Sequence, residues 1–243
     1  MTLLHKDSTL IAEAVPGGDG IEAMTANLLR AKDDIPRIQR ELRKDSTLAP
    51  GIARMKGLRI VKLDEWECLV SYILATYANI PRIMKMVDAV AHGYGRKIAP
   101  GTHAFPTRRM LAKASVGELA KLGLGYRAKY VHQACRTIDD RILEDMIKRP
   151  YEELRTELIE LPGVGEKVAD CVSLFGFGRL EAFPIDVWME RALKRLYGQK
   201  GSYAKLRHFA SERFGQYAGY AQEYLFHNER MRGRTGACAF SEK

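Results

Sequence analysis

The sequence has 243 residues, of which 46% are hydrophobic and 28% are charged. This composition is typical of a globular chain with a hydrophobic core, and it excludes a wholly disordered or collagen-like protein. The 39 Lys and Arg residues outnumber the 30 Asp and Glu residues, which gives a formal net charge of +9. An excess of this sign favours a polyanionic partner.

Several classes of protein are excluded by what the sequence lacks. No window offers the roughly 18 uninterrupted apolar residues of a membrane helix, and the first residues do not form a signal peptide. The four cysteines are widely spaced without a CxxC pair, which argues against a zinc knuckle, an iron–sulfur loop and a disulfide framework. We therefore expect a protein of the cytoplasm (nucleoid-associated) or the nucleus that is not secreted. We also expect it to be a monomer.

The chain divides into three parts on its pattern of polar and apolar residues. Residues 1–20 are polar and end in a glycine-rich turn, so we expect them to be loosely ordered. Helical periodicity follows, and the segment 1–60 is predicted to be mostly helical. A core of two helical lobes is predicted over 61–230, and a basic tail without periodicity over 231–243.

The core has the apolar spacing of amphipathic helices. Its first helix carries an apolar stripe at i, i+3, i+4, i+7 and i+8, formed by Trp66, Leu69, Val70, Ile73 and Leu74. Further helices are predicted over residues 80–92, 107–113, 116–122, 128–148, 151–160, 166–175, 187–197, 203–214 and 217–229. Because little of the chain alternates with period two, the predicted class is all-α.

Positive charge is concentrated in one part of the core. The segment 92–136 contains nine basic residues and a single acidic residue, Glu118. Such a segment attracts a nucleic acid by releasing its counterions, although a solvated surface would have the same composition.

The segment 161–167, LPGVGEK, lies between two predicted helices. Pro162 ends the first helix, and the glycines permit a tight turn that leaves backbone N–H groups free at the start of the next helix. Gly163, Val164 and Gly165 are therefore candidates for binding a DNA phosphate. A plain helical hairpin with a glycine turn is the alternative.

Four segments together carry a family resemblance over about residues 55–230. They are ECLVSYI with NIPR (67–73 and 79–82), KLGLGYRAKY (121–130), ELPGVGEKVADCVSLFGFGRLEAFPIDVWMERALKRLY (160–197) and YAGYAQEYLF (217–226). The chain resembles the helix–hairpin–helix–GPD superfamily of DNA glycosylases, and within it the 8-oxoguanine DNA glycosylase branch. The resemblance implies a DNA glycosylase that also cleaves the strand as an AP lyase.

Two residues are implied to be catalytic. Lys167 matches the family's nucleophilic lysine, and the positive end of a helix dipole disfavours an ammonium there, which favours the attacking amine. Asp186 opens a helix after Pro184, where its carboxylate can stabilise positive charge on the sugar. An aspartate that only caps the helix is the alternative, and the two roles are compatible.

The resemblance also assigns residues that bind the damaged base and the DNA. Cys171, Gln222 and Phe226 match the lining of the base pocket. Trp188 stands where eukaryotic members have a histidine, and we expect this tryptophan to pack against the pocket. Core packing is the alternative for Cys171 and Phe226. The residues that hold the opened duplex and its unpaired cytosine are matched by Asn79, Arg82, Tyr126 and Arg127.

Besides Trp188, the chain departs from the 8-oxoguanine branch in two respects. It has no GQxFRW-like segment before the core, where the family places the glycine carbonyl that accepts the N7–H of 8-oxoguanine. Tyr77 stands where the family often has an asparagine. The iron–sulfur cysteines of the endonuclease III and adenine glycosylase branches are missing, so we expect no cluster and no other cofactor, although a hairpin carbonyl could coordinate a monovalent cation.

We therefore expect an enzyme that flips 8-oxoguanine opposite cytosine out of double-stranded DNA, removes it and cleaves the strand. The first alternative is a glycosylase for alkylated bases that uses Asp186 and water alone. The second alternative is a helix–hairpin–helix module that binds DNA without catalysis.

Overall fold

The computed structural model describes residues 2–7, 9–14 and 17–238. This part of the chain is mostly helical, with two small antiparallel sheets. The helices are α1 (Ile21–Leu28), α2 (Ile35–Leu42), α3 (Ala49–Arg54), α4 (Glu65–Ala75), α5 (Ile80–Tyr94), α6 (Arg108–Leu111), α7 (Val116–Leu119), α8 (Arg127–Thr137), α9 (Asp140–Lys148), α10 (Tyr151–Ile159), α11 (Glu166–Phe175), α12 (Val187–Tyr197), α13 (Tyr203–Phe214) and α14 (Ala218–Cys238). The predicted all-α class is confirmed.

The first residues form a β-hairpin. Strand β1 (Thr2–Lys6) pairs with β2 (Thr9–Glu13), and Leu4 stands opposite Ile11. Asp7 enters the turn with φ +47°, a conformation that aspartate tolerates better than most residues. The prediction of loose order for residues 1–20 is therefore wrong for these strands, because each strand is too short to show a clear period of two.

A first hydrophobic cluster surrounds α4. Asp64 caps this helix by accepting a hydrogen bond from the Glu67 N–H at 2.9 Å. The five apolar residues of the predicted stripe are all buried, as expected. Helices α5, α8, α10 and α11 pack their apolar faces against the same cluster.

A second cluster joins the N-terminal helices to the C-terminal helices. Ile38 of α2 and Ile52 of α3 are buried in the same cluster as Tyr220 and Tyr224 of α14. Gln39 Nε2 also donates to the Tyr224 hydroxyl at 2.9 Å. Residues 21–60 therefore complete the second cluster and do not form a core of their own.

Three boundaries differ from the sequence prediction. The predicted helix 128–148 is divided into α8 and α9, because Asp139 caps α9 by accepting from the Ile142 N–H at 2.8 Å. Helix α7 continues as a π-helical turn, Ala120–Leu124, in which Gly123 has φ +85°. Strands β3 (Lys97–Ala99) and β4 (Thr102–His103) flank the predicted turn at 100–102.

Helix α14 also extends beyond the predicted helical end at 229. Its backbone is helical to Cys238, so the first part of the predicted basic tail belongs to this helix. Residues 239–243 of that tail lie outside the described residues.

Helix α11 lies at the junction of the two clusters. Val168, Ala169 and Val172 belong to the first cluster, and Leu174 belongs to the second. Helix α11, which carries Lys167 in its first turn, therefore contacts both hydrophobic clusters.

Candidate active site

The hairpin between α10 and α11 is built around Gly163. Leu161 and Val164 are buried in the first cluster and anchor the turn from both sides. Gly163 has φ +88°, and a Cβ atom at this position would lie 2.5 Å from the ring of Tyr130. Glycine is therefore required here both by the backbone conformation and by the space available.

The first turn of α11 presents backbone donors to a groove. Gly165 occupies the N-cap position, so this helix has no side-chain cap for its first N–H groups. Residues Gly163–Lys167 line an open groove of about 750 Å³. Uncapped N–H groups and the helix dipole favour an anion here, and a DNA phosphate is such an anion.

A smaller cavity of about 220 Å³ adjoins this groove. Its walls come from α4, α11, the loop before α12, and α14. The lining residues are Tyr72, Lys167, Cys171, Phe175, Pro184, Asp186, Gln222, Glu223 and Phe226. The volume is below that of sites for drug-sized ligands, and it suits a small planar group such as one base.

Lys167 and Asp186 line both the cavity and the groove. The Lys167 Nζ atom lies 5.1 Å from the centre of the Tyr72 ring, and both residues are half-buried. Within the described ranges, no ion pair joins the amine to the carboxylate. The two groups thus border the same hollow without neutralising each other.

Asp186 also caps α12. Its Oδ1 atom accepts from the Met189 N–H at 2.9 Å, which fixes the carboxylate at the mouth of the cavity. The two roles considered for this residue, helix cap and carboxylate of a site, therefore occur together in the geometry.

Cys171 and Tyr72 form neutral walls beside the amine. Burial raises the pKa of the Cys171 thiol to about 11, although the nearby Lys167 ammonium opposes the shift. Burial likewise raises the pKa of the Tyr72 hydroxyl well above its usual range. Both groups are therefore protonated and uncharged at neutral pH.

Gln222 and Phe226 lie one turn apart on α14 and both line the cavity. Gln222 is buried, and its Oε1 atom has no hydrogen-bond partner among the residues that the structure describes. A buried acceptor without a donor costs about 1–3 kcal/mol, so a ligand N–H that reached it would be bound favourably. Phe226 supplies an aromatic face in the same cavity.

Of the four other expected DNA contacts, Tyr126 lines the groove. Asn79 caps α5 by accepting from the Arg82 N–H at 3.0 Å, and both side chains are exposed. Tyr126 is half-exposed, lines the groove, and donates through its hydroxyl to the Thr76 carbonyl at 3.2 Å. Arg127 is buried and donates to the same carbonyl through Nε at 3.0 Å, so its guanidinium is held inside the protein.

Trp188 does not take part in the base cavity. It is 37% exposed in the first turn of α12 and is not among the residues that line the cavity. Its ring instead lies 5.6 Å from the Arg191 guanidinium carbon.

The structure adds lining residues that the sequence analysis did not single out. Phe175 follows Lys167 and Cys171 at a further helical turn, so extending that spacing along α11 would have found it. Tyr72 stacks on Phe175 with ring centres 6.0 Å apart, a contact between two helices that no local pattern indicates. Pro184 and Glu223 complete the walls.

Comparison with known proteins places this geometry in a family. Residues 70–216 match the HhH-GPD superfamily of base excision DNA repair proteins. A probable N-glycosylase/DNA lyase of Methanothermobacter thermautotrophicus is 30% identical over 78% of this chain and 69% of its own length. The N-glycosylase/DNA lyase OGG1 of Arabidopsis thaliana is 32% identical over 82% of this chain and 60% of its own length.

A solved structure extends the similarity to three dimensions. The 8-oxoguanine glycosylase/lyase of Clostridium acetobutylicum, in complex with double-stranded DNA containing cytosine opposite 8-oxoguanine, superposes with a TM-score of 0.86. It is 29% identical, and the match covers 95% of this chain and 81% of that one. This chain belongs to the HhH-GPD superfamily of base excision DNA repair proteins.

Proposed function

We propose that the protein is a bifunctional DNA glycosylase and AP lyase that removes 8-oxoguanine opposite cytosine from duplex DNA. The observation that carries this proposal is the placement of Lys167 and Asp186 on one base-sized cavity beside an uncapped helix N-terminus. Relatives named as N-glycosylase/DNA lyases and the DNA complex of the clostridial enzyme support it.

The chemistry follows from the two catalytic residues. The Lys167 amine forms a bond to the sugar C1′ as the glycosidic bond breaks, and the base leaves with the electron pair of that bond. Asp186 stabilises the positive charge that develops on the sugar. Opening of the sugar ring then gives a Schiff base, and loss of a C2′ proton expels the 3′ phosphate and cleaves the strand.

The cavity provides the recognition surface for the extruded base. Removing a base from the stack costs a few kcal/mol, which contacts in the protein must offset. Phe226 can stack on the base, and Gln222 Oε1 can accept one of its N–H groups. Cys171 and Phe175 close the apolar side of the cavity.

The opened duplex lies along the groove in this proposal. The hairpin N–H groups bind a phosphate of the damaged strand without reading sequence. Tyr126 and the fully exposed Tyr77 line the groove opposite the hairpin, where an aromatic ring can replace the stacking of the lost base. Most of the basic residues in 92–136 are exposed and available to the phosphate backbone.

The reaction calls for no metal or organic cofactor, because Lys167 supplies the nucleophile and Asp186 the counter-charge. A carbonyl of the hairpin could still hold a monovalent cation next to the DNA phosphate. Chromosomal DNA is the substrate, so we place the protein in the nucleoid or nucleus. In the described part of the chain, no helix has the length and apolarity to cross a bilayer.

Borohydride trapping tests the proposal. The intact protein is incubated with a panel of duplexes that carry oxidised or alkylated bases, and covalent protein–DNA adducts are counted after reduction. We expect an adduct with 8-oxoguanine opposite cytosine for the wild type and none for Lys167→Gln. Excision of an alkylated base without any adduct would favour the first alternative, in which Asp186 acts with water.

The non-catalytic alternative has its own signature in the same assay. For a module that only binds DNA, neither Lys167→Gln nor Asp186→Asn would change a measured property, and no duplex would lose its base. Base release by the wild type and its loss in both variants would exclude that alternative.

A further inference from the structure

A buried carboxylate lies one helical turn after Lys167. Asp170 on α11 is fully buried, and its two oxygens accept hydrogen bonds from different elements. Oδ1 accepts from the Tyr151 hydroxyl at 2.6 Å and from Arg155 Nε at 2.9 Å, both on α10. Oδ2 accepts from the Tyr203 hydroxyl of α13 at 2.5 Å.

The Tyr203 hydroxyl continues this connection to the loop before α12. Its oxygen accepts the Ile185 N–H at 3.2 Å. Since that lone pair is occupied, the hydroxyl proton is directed to Asp170, and the polarity of the two bonds is fixed. Ile185 immediately precedes Asp186, so two hydrogen bonds join the helix of the amine to the backbone of the residue before the carboxylate.

We propose that the Tyr203 hydroxyl is a positioning group that sets the Asp186 loop against the Lys167 helix for base removal. This inference rests on the function proposed above. Lys167 and Asp186 come from different elements, and among the described residues no ion pair holds them together. Their separation must therefore be set by the backbone, and the bridge through Asp170 and Tyr203 spans the two segments concerned.

The two tyrosines that donate to Asp170 make the hypothesis testable. Both hydroxyls bind the same buried carboxylate, so Tyr151→Phe and Tyr203→Phe each remove one of its donors and keep the ring. Only Tyr203 also holds the Ile185 N–H. A role in folding alone affects both variants, whereas a role in positioning Asp186 affects Tyr203→Phe alone.

The first measurement compares single-turnover excision with affinity for duplex DNA. For Tyr203→Phe we expect the excision rate constant to fall at least about 10-fold, because small misplacements of catalytic groups are costly. The dissociation constant for lesion-containing DNA should stay within about 2-fold, since the phosphate contacts that dominate affinity are unchanged. Borohydride trapping on a preformed abasic site should fall less than excision, because the base has already left.

Tyr151→Phe is the matched control, with excision close to the wild type at a similar loss of thermal stability. The proposal is overturned if Tyr203→Phe excises at the wild-type rate. It is equally overturned if the two variants lose excision together, in proportion to their stability.

Hydrogen exchange separates this hypothesis from the proposed function. If the wild type acts on no duplex, the proposed function fails, but the Ile185 amide still reports on the bridge. We expect Tyr203→Phe to accelerate exchange in the peptide that contains Ile185 and Tyr151→Phe to leave it unchanged. Equal protection in both variants would show that the bridge does not hold the loop.

Discussion

Gln222 lines the cavity with a buried acceptor, Oε1, that has no donor among the residues of the described ranges. A buried oxygen without a donor is unfavourable for stability, and the proposed contact with an N–H group of the extruded base would remove this cost. Gln39 is an informative comparison, because this second buried glutamine donates to the Lys56 carbonyl at 2.6 Å and to the Tyr224 hydroxyl. The same side chain thus has a proposed role in binding at position 222 and a hydrogen-bonded place in the core at position 39.

The comparison gives a prediction for two matched substitutions. Gln222→Met keeps the volume and removes the unpaired oxygen, so we expect the free energy of unfolding to be unchanged or raised by about 1 kcal/mol. The rate constant of base excision should fall at least about 10-fold, because the free energy of one lost hydrogen bond to the base, in a site without water, corresponds to a factor of this size. Gln39→Met should behave in the opposite way, with lower stability and little change in the excision rate constant. Denaturant unfolding and single-turnover excision measure both quantities.

The Cys171 thiol should make the stability of the free protein depend on pH. A thiol with a raised pKa stays protonated in the folded state after it has ionised in the unfolded chain. Its contribution to stability is therefore complete below pH 9, the ordinary thiol pKa, and is lost as the pH rises to about 11. The sign follows from the unfolded chain binding fewer protons than the folded protein in this range.

We accordingly expect wild type and Cys171→Ala to differ in the pH dependence of their unfolding free energy. The free energy of unfolding of the wild type, relative to that of Cys171→Ala, should decrease by about 2–3 kcal/mol between pH 9 and pH 11. This decrease corresponds to a shift of roughly two pKa units. Urea unfolding at several pH values provides the comparison. A difference between the two proteins that stays constant over this range would contradict the assignment.

At the scale of elements, the hairpin contains two glycines with different physical requirements. Gly163 has a left-handed backbone, and a Cβ atom there would lie 2.5 Å from the Tyr130 ring. Gly165 has φ of −94°, which any residue can adopt, and a Cβ atom there would meet no other atom of the described residues within 4 Å. The first glycine is therefore needed to form the turn. The second leaves the start of α11 uncovered, which matters for a bound phosphate.

Alanine at each position separates these roles. Gly163→Ala should lower the free energy of unfolding by about 2–4 kcal/mol, from backbone strain and steric overlap together. Gly165→Ala should change stability by less than about 0.5 kcal/mol, as expected for an open position. It should nevertheless weaken duplex binding several-fold, because the new methyl group covers the N–H groups. Thermal unfolding and fluorescence anisotropy with a labelled duplex test the pair, and equal stability of the two variants would refute the argument.

The elements around the site were predictable where local chemistry marks their ends. Helix α11 follows the glycine turn, and α12 and α13 follow Asp186 and Ser202, whose side chains cap them. The division between α8 and α9 was missed because the apolar spacing continues across the break. The N-terminal hairpin was missed because pairing between two five-residue strands depends on partners rather than on either strand alone.

At the scale of the whole molecule, the site depends on contacts between distant parts of the chain. The spacing along α11 and α14 relates Lys167 to Cys171 and Gln222 to Phe226, and this much is visible in the sequence. The stacking of Tyr72 on Phe175 and the burial of Arg127 against Thr76 are tertiary contacts between separate helices, and no local pattern encodes them. The pairs that share a helix face could thus be predicted from the sequence, while the contacts between separate helices could not.

The excess of positive charge also acts on the whole molecule, and it leads to a prediction about salt. Duplex affinity should fall with rising salt with equal slopes for the wild type and Lys167→Gln, because the proposed mechanism uses Lys167 for the chemistry and not for binding the phosphate backbone. Removing exposed charge within 92–136, as in Lys121→Gln and Lys129→Gln, should reduce the slope of log K against log salt concentration by about 1 for each phosphate that is no longer neutralised. Lys44→Gln is the control, since Lys44 lies outside this segment and pairs with Glu41. Identical slopes for all four variants would show that the basic segment does not face the DNA, whereas a reduced slope for Lys167→Gln would assign the amine to phosphate binding.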